Sequence, residues 1–153
     1  MKLSELLTPQ QVIAELHGRS KPEVMEELCR PIVDLHPQLN LSHLLKVLAE
    51  RERLGSTGIG DGVAIPHGKL AGIDQLLVSF GRSREGVDFD SLDGKPAHLF
   101  FLVLAPENLA GVHLKALACI SRLLKSYEVR DRLMAAADEN EILEILASQE
   151  EEF

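Results

Sequence analysis

The sequence lacks any apolar run long enough to cross a bilayer. Its longest, Leu99 to Ala105, falls far short of the roughly 20 residues that a spanning helix needs. The N-terminus, MKLSELLTPQQ, has neither the long apolar stretch nor the small-residue cleavage site of a secretory signal. No direct membrane insertion is expected, and the protein is placed in the cytoplasm. Cysteine is scarce. Cys29 and Cys119 are the two present, without Cys-x-x-Cys spacing and inside apolar helical patterns, so both read as buried reduced thiols. A basic excess is also missing: 16 Lys and Arg stand against 24 Asp and Glu, for a net charge of −8. Nucleic-acid binders usually carry a basic face, and here Arg51, Arg53, Arg82, Arg84, Arg122, Arg130 and Arg132 are scattered among acids. No internal repeat, linker or low-complexity segment interrupts the chain.

What is present describes an ordinary globular protein. At 153 residues, with 45% hydrophobic and 26% charged, the chain suits one domain. Ser4 to Leu7 reads as a short helical turn. Thr8, Pro9 and Gln11 resemble a capping box, and Gln11 to Leu16 reads equally as strand or helix. Ser20 and Glu23 have capping-box spacing and start a helix with Val24, Leu28, Ile32 and Leu35 on its buried stripe, which Pro31 should kink or split. A second helix, Leu41 to Leu54, would bury Leu41, Leu44, Leu45, Leu48 and Ala49, with Gly55 at its C′ position.

The middle of the chain changes character. Gly55, Gly58, Gly60, Gly62 and Gly68 surround the apolar triplet Val63, Ala64 and Ile65, a short buried strand. Two longer strands follow, Gln75 to Arg82 and Ala97 to Ala105, with a turn at Asp93-Gly94. HLFFLVLA is apolar on both faces, so that strand should be central and covered on both sides. Helices return with Val112, Ala116, Cys119, Ile120 and Leu123, then Val129 to Ala136, then Glu139 to Ala147. Residues 149–153 read as a flexible acidic tail. The expected fold is α/β (α+β): a single domain, residues 1–153, with a central mixed sheet flanked by helices on both sides.

The chemistry concentrates in GSTGIGDGVAIPHG, Gly55 to Gly68. Pro66 biases Ile65 toward an extended conformation and stops the strand, so His67 is presented at its end by a stiffened backbone. Gly68 permits close approach by a partner or a bulky group. Upstream glycines can fold a loop whose amides converge on an anion, with Ser56 and Thr57 adding hydroxyls, a phosphate cradle beside a histidine. An ordinary Pro-His-Gly turn is the competing reading. Neither the Walker pattern nor G-x-G-x-x-G is present, and these glycines lead into a strand, not a helix.

The run RERLGSTGIGDGVAIPHG, Arg51 to Gly68, strongly resembles the signature of IIA domains of the fructose/mannitol class of the bacterial phosphoenolpyruvate-dependent phosphotransferase system. GVDFDSLDGKPAHLFFLVLAP and HLKALACISRLL follow in that family's order, and the likeness is nearest the nitrogen-regulatory subgroup. The resemblance implies that His67 accepts a phosphoryl group on Nε2, that His113 stabilises it, and that Arg51 supplies charge or loop support. Taken alone, Arg51 reads equally as a cation at a helix C-terminus, and His113 as a partly buried helix residue. It also implies an HPr-type phosphocarrier protein as donor, and regulatory target proteins or a IIB domain as recipients. No cofactor is expected, because the donor is itself a phosphohistidine. A zinc site from His67 and His113 lacks further ligands at diagnostic spacing. His17, His36, His43 and His98 match nothing in the motif. The absence of a fused IIB or IIC segment favours regulation over sugar uptake.

Overall fold

The computed structural model describes residues 2–149. The chain begins with helix α1 (Leu3–Leu6), a 3₁₀ turn (Pro9–Gln11) and strand β1 (Val12–Ile13). The ambiguous segment therefore divides between turn and strand. Its capping box forms, with Thr8 N donating to Gln11 Oε1 at 2.8 Å. Helices α2 (Lys21–Leu35) and α3 (Leu41–Glu52) follow. Ser20 Oγ accepts from Glu23 N, and Glu23 Oε1 accepts from Arg19 N. Pro31 does not split α2, which continues to Leu35. Leu35 itself is exposed, and so is Ala49 in α3, so both stripes are narrower than their spacing suggested.

A six-stranded mixed sheet occupies the centre: β2 (Gly58–Gly60), β3 (Val63–Ala64), β4 (His67–Leu70), β5 (Leu77–Val87) and β6 (Ala97–Pro106) join β1 in the order β1-β5-β6-β3-β2, with β4 also pairing β6. Helices α4 (Ala110–Lys125), α5 (Tyr127–Ala135) and α6 (Glu139–Gln149) complete the domain. Gln149 ends α6 and does not belong to the acidic tail, the rest of which lies outside the described residues.

Strand β6 fixes the layers. Leu99, Phe101, Val103 and Ala105 enter one core with α4, α5 and α6, while Phe100, Leu102 and Leu104 enter the other with α2 and α3. Alternation sends successive side chains to opposite faces, so a strand buried on both sides must be apolar throughout. Strands β3 and β4 hold one register against it: Val63 faces Leu99 and His67 faces Val103. The two are one parallel strand interrupted at Ile65-Pro66, where proline has no N–H to donate. The interruption keeps one bond, from Val103 N to Pro66 O at 2.9 Å.

The glycine-rich segment forms a hairpin. Asp61 (φ 57°) and Gly62 (φ 76°) sit at its turn, the positive-φ pair that a tight two-residue connection of primed type requires. Arg82 is 1% exposed, and its guanidinium donates to the carbonyls of Ala14, Leu133 and Ala136, tying β5 to the end of α5. Cys29 and Cys119 are both buried.

Candidate functional site

His67 opens β4 and does not sit in a loop behind a strand, because pairing to β6 resumes immediately after Pro66. Among the described residues β4 pairs with β6 alone, so His67 stands at an open sheet edge, with α3 and α4 on either side of the sheet.

Both nitrogens of its ring are held. Nδ1 lies 2.7 Å from the Ile65 carbonyl oxygen. A carbonyl only accepts, so Nδ1 carries the proton and the neutral ring keeps a lone pair at Nε2. Arg51 Nε donates to that Nε2 at 3.3 Å, which requires the same tautomer. Arg51 also donates through Nη1 to Gly55 O at 3.0 Å, so one guanidinium touches the ring and pins the chain leaving α3. Burial lowers the pKa of His67 below the usual imidazole value. The Ile65 carbonyl opposes this, and the Arg51 charge reinforces it.

His113 lies in the first turn of α4 and is 5% exposed. Its ring meets that of His67 edge to face, with centroids 5.4 Å apart. Its Nε2 is buried and has no hydrogen-bond partner among the described residues. Such an atom is costly unless a ligand or water supplies a partner. Burial, then the nearby His67 and Lys69, bring its pKa down to about 4, so the ring is neutral near pH 7.

These groups line a cavity of about 430 Å³. Val47 and Leu54 contribute from the α3 side and Leu114 and Leu117 from α4, and Leu54 and Leu114 are 84% and 68% exposed. Two exposed leucines beside a histidine pair make an apolar rim suited to a protein surface. Lys69 also lines the cavity, and sequence reasoning missed it. It stands two residues after His67 on one strand, hence on the same face. Reading His67 as a strand residue would have found it.

The expected phosphate cradle does not assemble. Ser56 Oγ donates to Phe89 O at 2.7 Å and accepts from Gly58 N. Thr57 gives both N–H and hydroxyl to the Glu52 carboxylate. Neither residue lines the His67 cavity, since the hairpin folds that segment away. Gly68 does line it, but the close approach it allows is internal: a Cβ there would lie 2.7 Å from Val47 Cγ1 of α3. The hydroxyls of Ser56 and Thr57 are thus structural, and His67, His113, Arg51 and Lys69 form the cluster.

Known proteins resemble this chain along most of its length. The sequence model of the family described as "Phosphoenolpyruvate-dependent sugar phosphotransferase system, EIIA 2" matches residues 5–149. A nitrogen regulatory protein of Bradyrhizobium diazoefficiens is 40% identical over 147 residues, covering 96% of this chain and 95% of that protein. The fructose-specific EIIABC component of Bacillus subtilis is also 40% identical over 147 residues, covering 95% of this chain but 23% of that longer protein. Among solved structures, the nitrogen regulatory protein IIA-Ntr of Neisseria meningitidis superimposes with a TM-score of 0.88 at 37% identity, covering 94% of this chain and 98% of that one.

Proposed function

The chain belongs to the EIIA 2 family of the phosphoenolpyruvate-dependent sugar phosphotransferase system, and from that premise we propose that it carries a phosphoryl group on Nε2 of His67. The observation that carries this reading is the 2.7 Å bond from Nδ1 to the Ile65 carbonyl, which leaves Nε2 as the nucleophilic nitrogen inside the cavity. A lowered pKa keeps that nitrogen unprotonated at neutral pH.

The reaction is a transfer between two imidazoles. The Nε2 lone pair attacks phosphorus on a phosphohistidine of an HPr-type carrier, and the donor's N–P bond breaks with its electrons returning to the donor ring. Nδ1 retains its proton, so the charge that attack places on the ring is stabilised by the Ile65 oxygen. The transition state is loose, and catalysis is chiefly alignment and charge stabilisation. His113 and Arg51 supply both: a buried Nε2 without a partner can donate to a phosphoryl oxygen in its protonated tautomer, and the guanidinium offsets negative charge.

Recipients are regulatory proteins that read the phosphorylation state, in the cytoplasm. Matches to nitrogen regulatory proteins along nearly their whole length support this branch. The second reading, delivery to a IIB domain for fructose- or mannitol-type uptake, is favoured by the equal identity to the fructose-specific component. Incubation with phosphoenolpyruvate, enzyme I and an HPr-type carrier, followed by intact-mass spectrometry, tests the central claim. One acid-labile phosphate that disappears in His67→Ala is expected. No gain, or a gain that persists in the variant, refutes it.

A further inference from the structure

Arg51 and Glu52 are neighbours at the end of α3, and both connect to His67 by different routes. Arg51 reaches Nε2 directly. The Glu52 side chain, 8% exposed, turns the other way and accepts from Thr57 N at 3.2 Å and from the Thr57 hydroxyl. Thr57 O accepts from Ile65 N at 3.0 Å, and Ile65 O is the acceptor for His67 Nδ1 at 2.7 Å. A continuous path of hydrogen bonds therefore runs from a buried carboxylate to the proton that sets the tautomer of the ring.

The carboxylate is itself fixed from outside the path. Lys21 Nζ, in the first turn of α2, lies 2.8 Å from Glu52 Oε2 and 3.2 Å from an Asp90 oxygen, and stands 4.7 Å above the Phe89 ring. A buried carboxylate is tolerable only when paired and fully hydrogen-bonded, and Lys21 with Thr57 meets that requirement.

We propose that Glu52, braced by Lys21, is a positioning residue for His67: by holding Thr57 it places the Ile65 carbonyl that keeps the ring proton on Nδ1 and Nε2 bare. This rests on the reading of His67 as the phosphoryl acceptor, and it adds a residue that never meets the phosphate. Without the carboxylate, Thr57 and, through it, Ile65 at the break between β3 and β4 lose their anchor to α3, and the ring is free to rotate or to exchange its proton to Nε2. A ring misplaced by about 1 Å commonly costs ~10²-fold in rate. The Glu52 charge by itself favours the protonated ring and so opposes a bare Nε2, but its influence is smaller than that of burial, and the positioning role is carried by the hydrogen bonds.

The test separates this proposal from the reading beneath it. Nitrogen-15 shifts of the His67 ring report the tautomer in unphosphorylated protein, with no transfer partner present. Wild type should show Nδ1 protonated and Nε2 bare. Glu52→Ala should mix the tautomers and slow phosphoryl acceptance by ~10–100-fold, through turnover and not through the half-saturating carrier concentration. Glu52→Gln, which keeps an oxygen for the Thr57 N–H, should restore the wild-type nitrogen shifts. Folded Glu52→Ala with wild-type shifts and rate overturns the proposal, as does a Gln variant no better than Ala. If Glu52→Ala fails to fold, Lys21→Met carries the test, and wild-type shifts and rate in that variant overturn it. Failure of wild type to accept phosphate would instead sink the functional reading while leaving the tautomer result standing.

Discussion

The rings of His67 and His113 meet with centroids 5.4 Å apart and planes inclined by 71°, and neither is placed to carry charge comfortably. Burial lowers the pKa of both, and each imidazolium would repel the other. The pair is therefore neutral in the resting protein, which suits one ring to attack and the other to donate a hydrogen bond.

The first expected outcome concerns acid. His113 titrates at about 4 in the folded chain against 6.5 for an unperturbed imidazole. Between these values the unfolded chain binds the proton that the folded chain refuses, so this group's contribution makes stability fall as pH drops from 6.5 through 4. Above 6.5 both states are neutral and the contribution is flat. Urea midpoints of wild type and His113→Gln, measured across that window, should converge as pH falls. Parallel curves would remove His113 from the effect.

Phosphorylation should reverse the sign for His113. A dianion on His67 favours the imidazolium beside it, so the His113 pKa should rise on phosphorylation. Carbon-proton spectra of the ring, titrated in both forms, read this directly. An unmoved midpoint would mean that the phosphate points elsewhere. His113→Ala should also transfer phosphate about 10²–10³ more slowly if a donor to the phosphoryl oxygens is lost.

Arg51 makes two contacts that one lysine cannot make together, to His67 Nε2 and to Gly55 O. Arg51→Lys should therefore behave more like Arg51→Met than like wild type in phosphoryl acceptance. Rapid-quench measurement with a fixed phosphorylated carrier decides it. A lysine variant at wild-type rate would show that charge alone suffices.

Much of the fold was legible because local pattern and global position agree. The unbroken apolar run Leu99 to Ala105 requires two covered faces, and it has them. AIPHG points to His67 and to phosphoryl chemistry, whereas the residue's setting differs from what Pro66 suggests. Pro66 is a strong stop signal locally, but β6 supplies a register long enough to resume pairing one residue later, and no local rule reports that. The alternating glycines looked like an anion loop because their count is visible, whereas the positive φ at Asp61 and Gly62 that makes them a hairpin is decided by pairing. Arg82 looked like one surface charge among several. Its acceptors at Ala14, Leu133 and Ala136 are distant in sequence, so its burial was invisible.

Gly68 offers a packing test. Its φ is ordinary, so Ala brings no backbone strain there, but the new methyl would meet Val47 Cγ1 at 2.7 Å. Valine on a helix has little rotamer freedom to yield. Overpacking of about 1–3 kcal/mol should exceed the ~0.4–1 kcal/mol gained by restricting the unfolded chain. Gly68→Ala should thus lower the urea midpoint, and adding Val47→Ala should recover part of the loss. If Val47→Ala merely adds its own cost, the contact is not the source.

The last expectation follows from what a phosphate does to an apolar rim. Leu54 and Leu114 are exposed beside the cavity, so replacing Leu114 by Glu should change stability by no more than about 0.5 kcal/mol. The same change places a carboxylate on the apolar rim where the proposed carrier would dock. Encounter with an HPr-type carrier bearing a negative phosphoryl group should weaken, raising the half-saturating carrier concentration with little change in turnover. Phosphorylation of His67 itself adds close to two negative charges to this surface, and a differential of about 1.4 kcal/mol already changes affinity tenfold. Regulatory partners should therefore separate into those captured by the unphosphorylated form and those captured by the phosphorylated form. Leu114→Glu should release the first group without phosphate. Pull-downs from the native organism with wild type, phosphorylated wild type and Leu114→Glu provide the three arms. Identical partner sets in all three, with phosphate drawn away only by a IIB domain, would refute the regulatory reading and leave sugar uptake in its place.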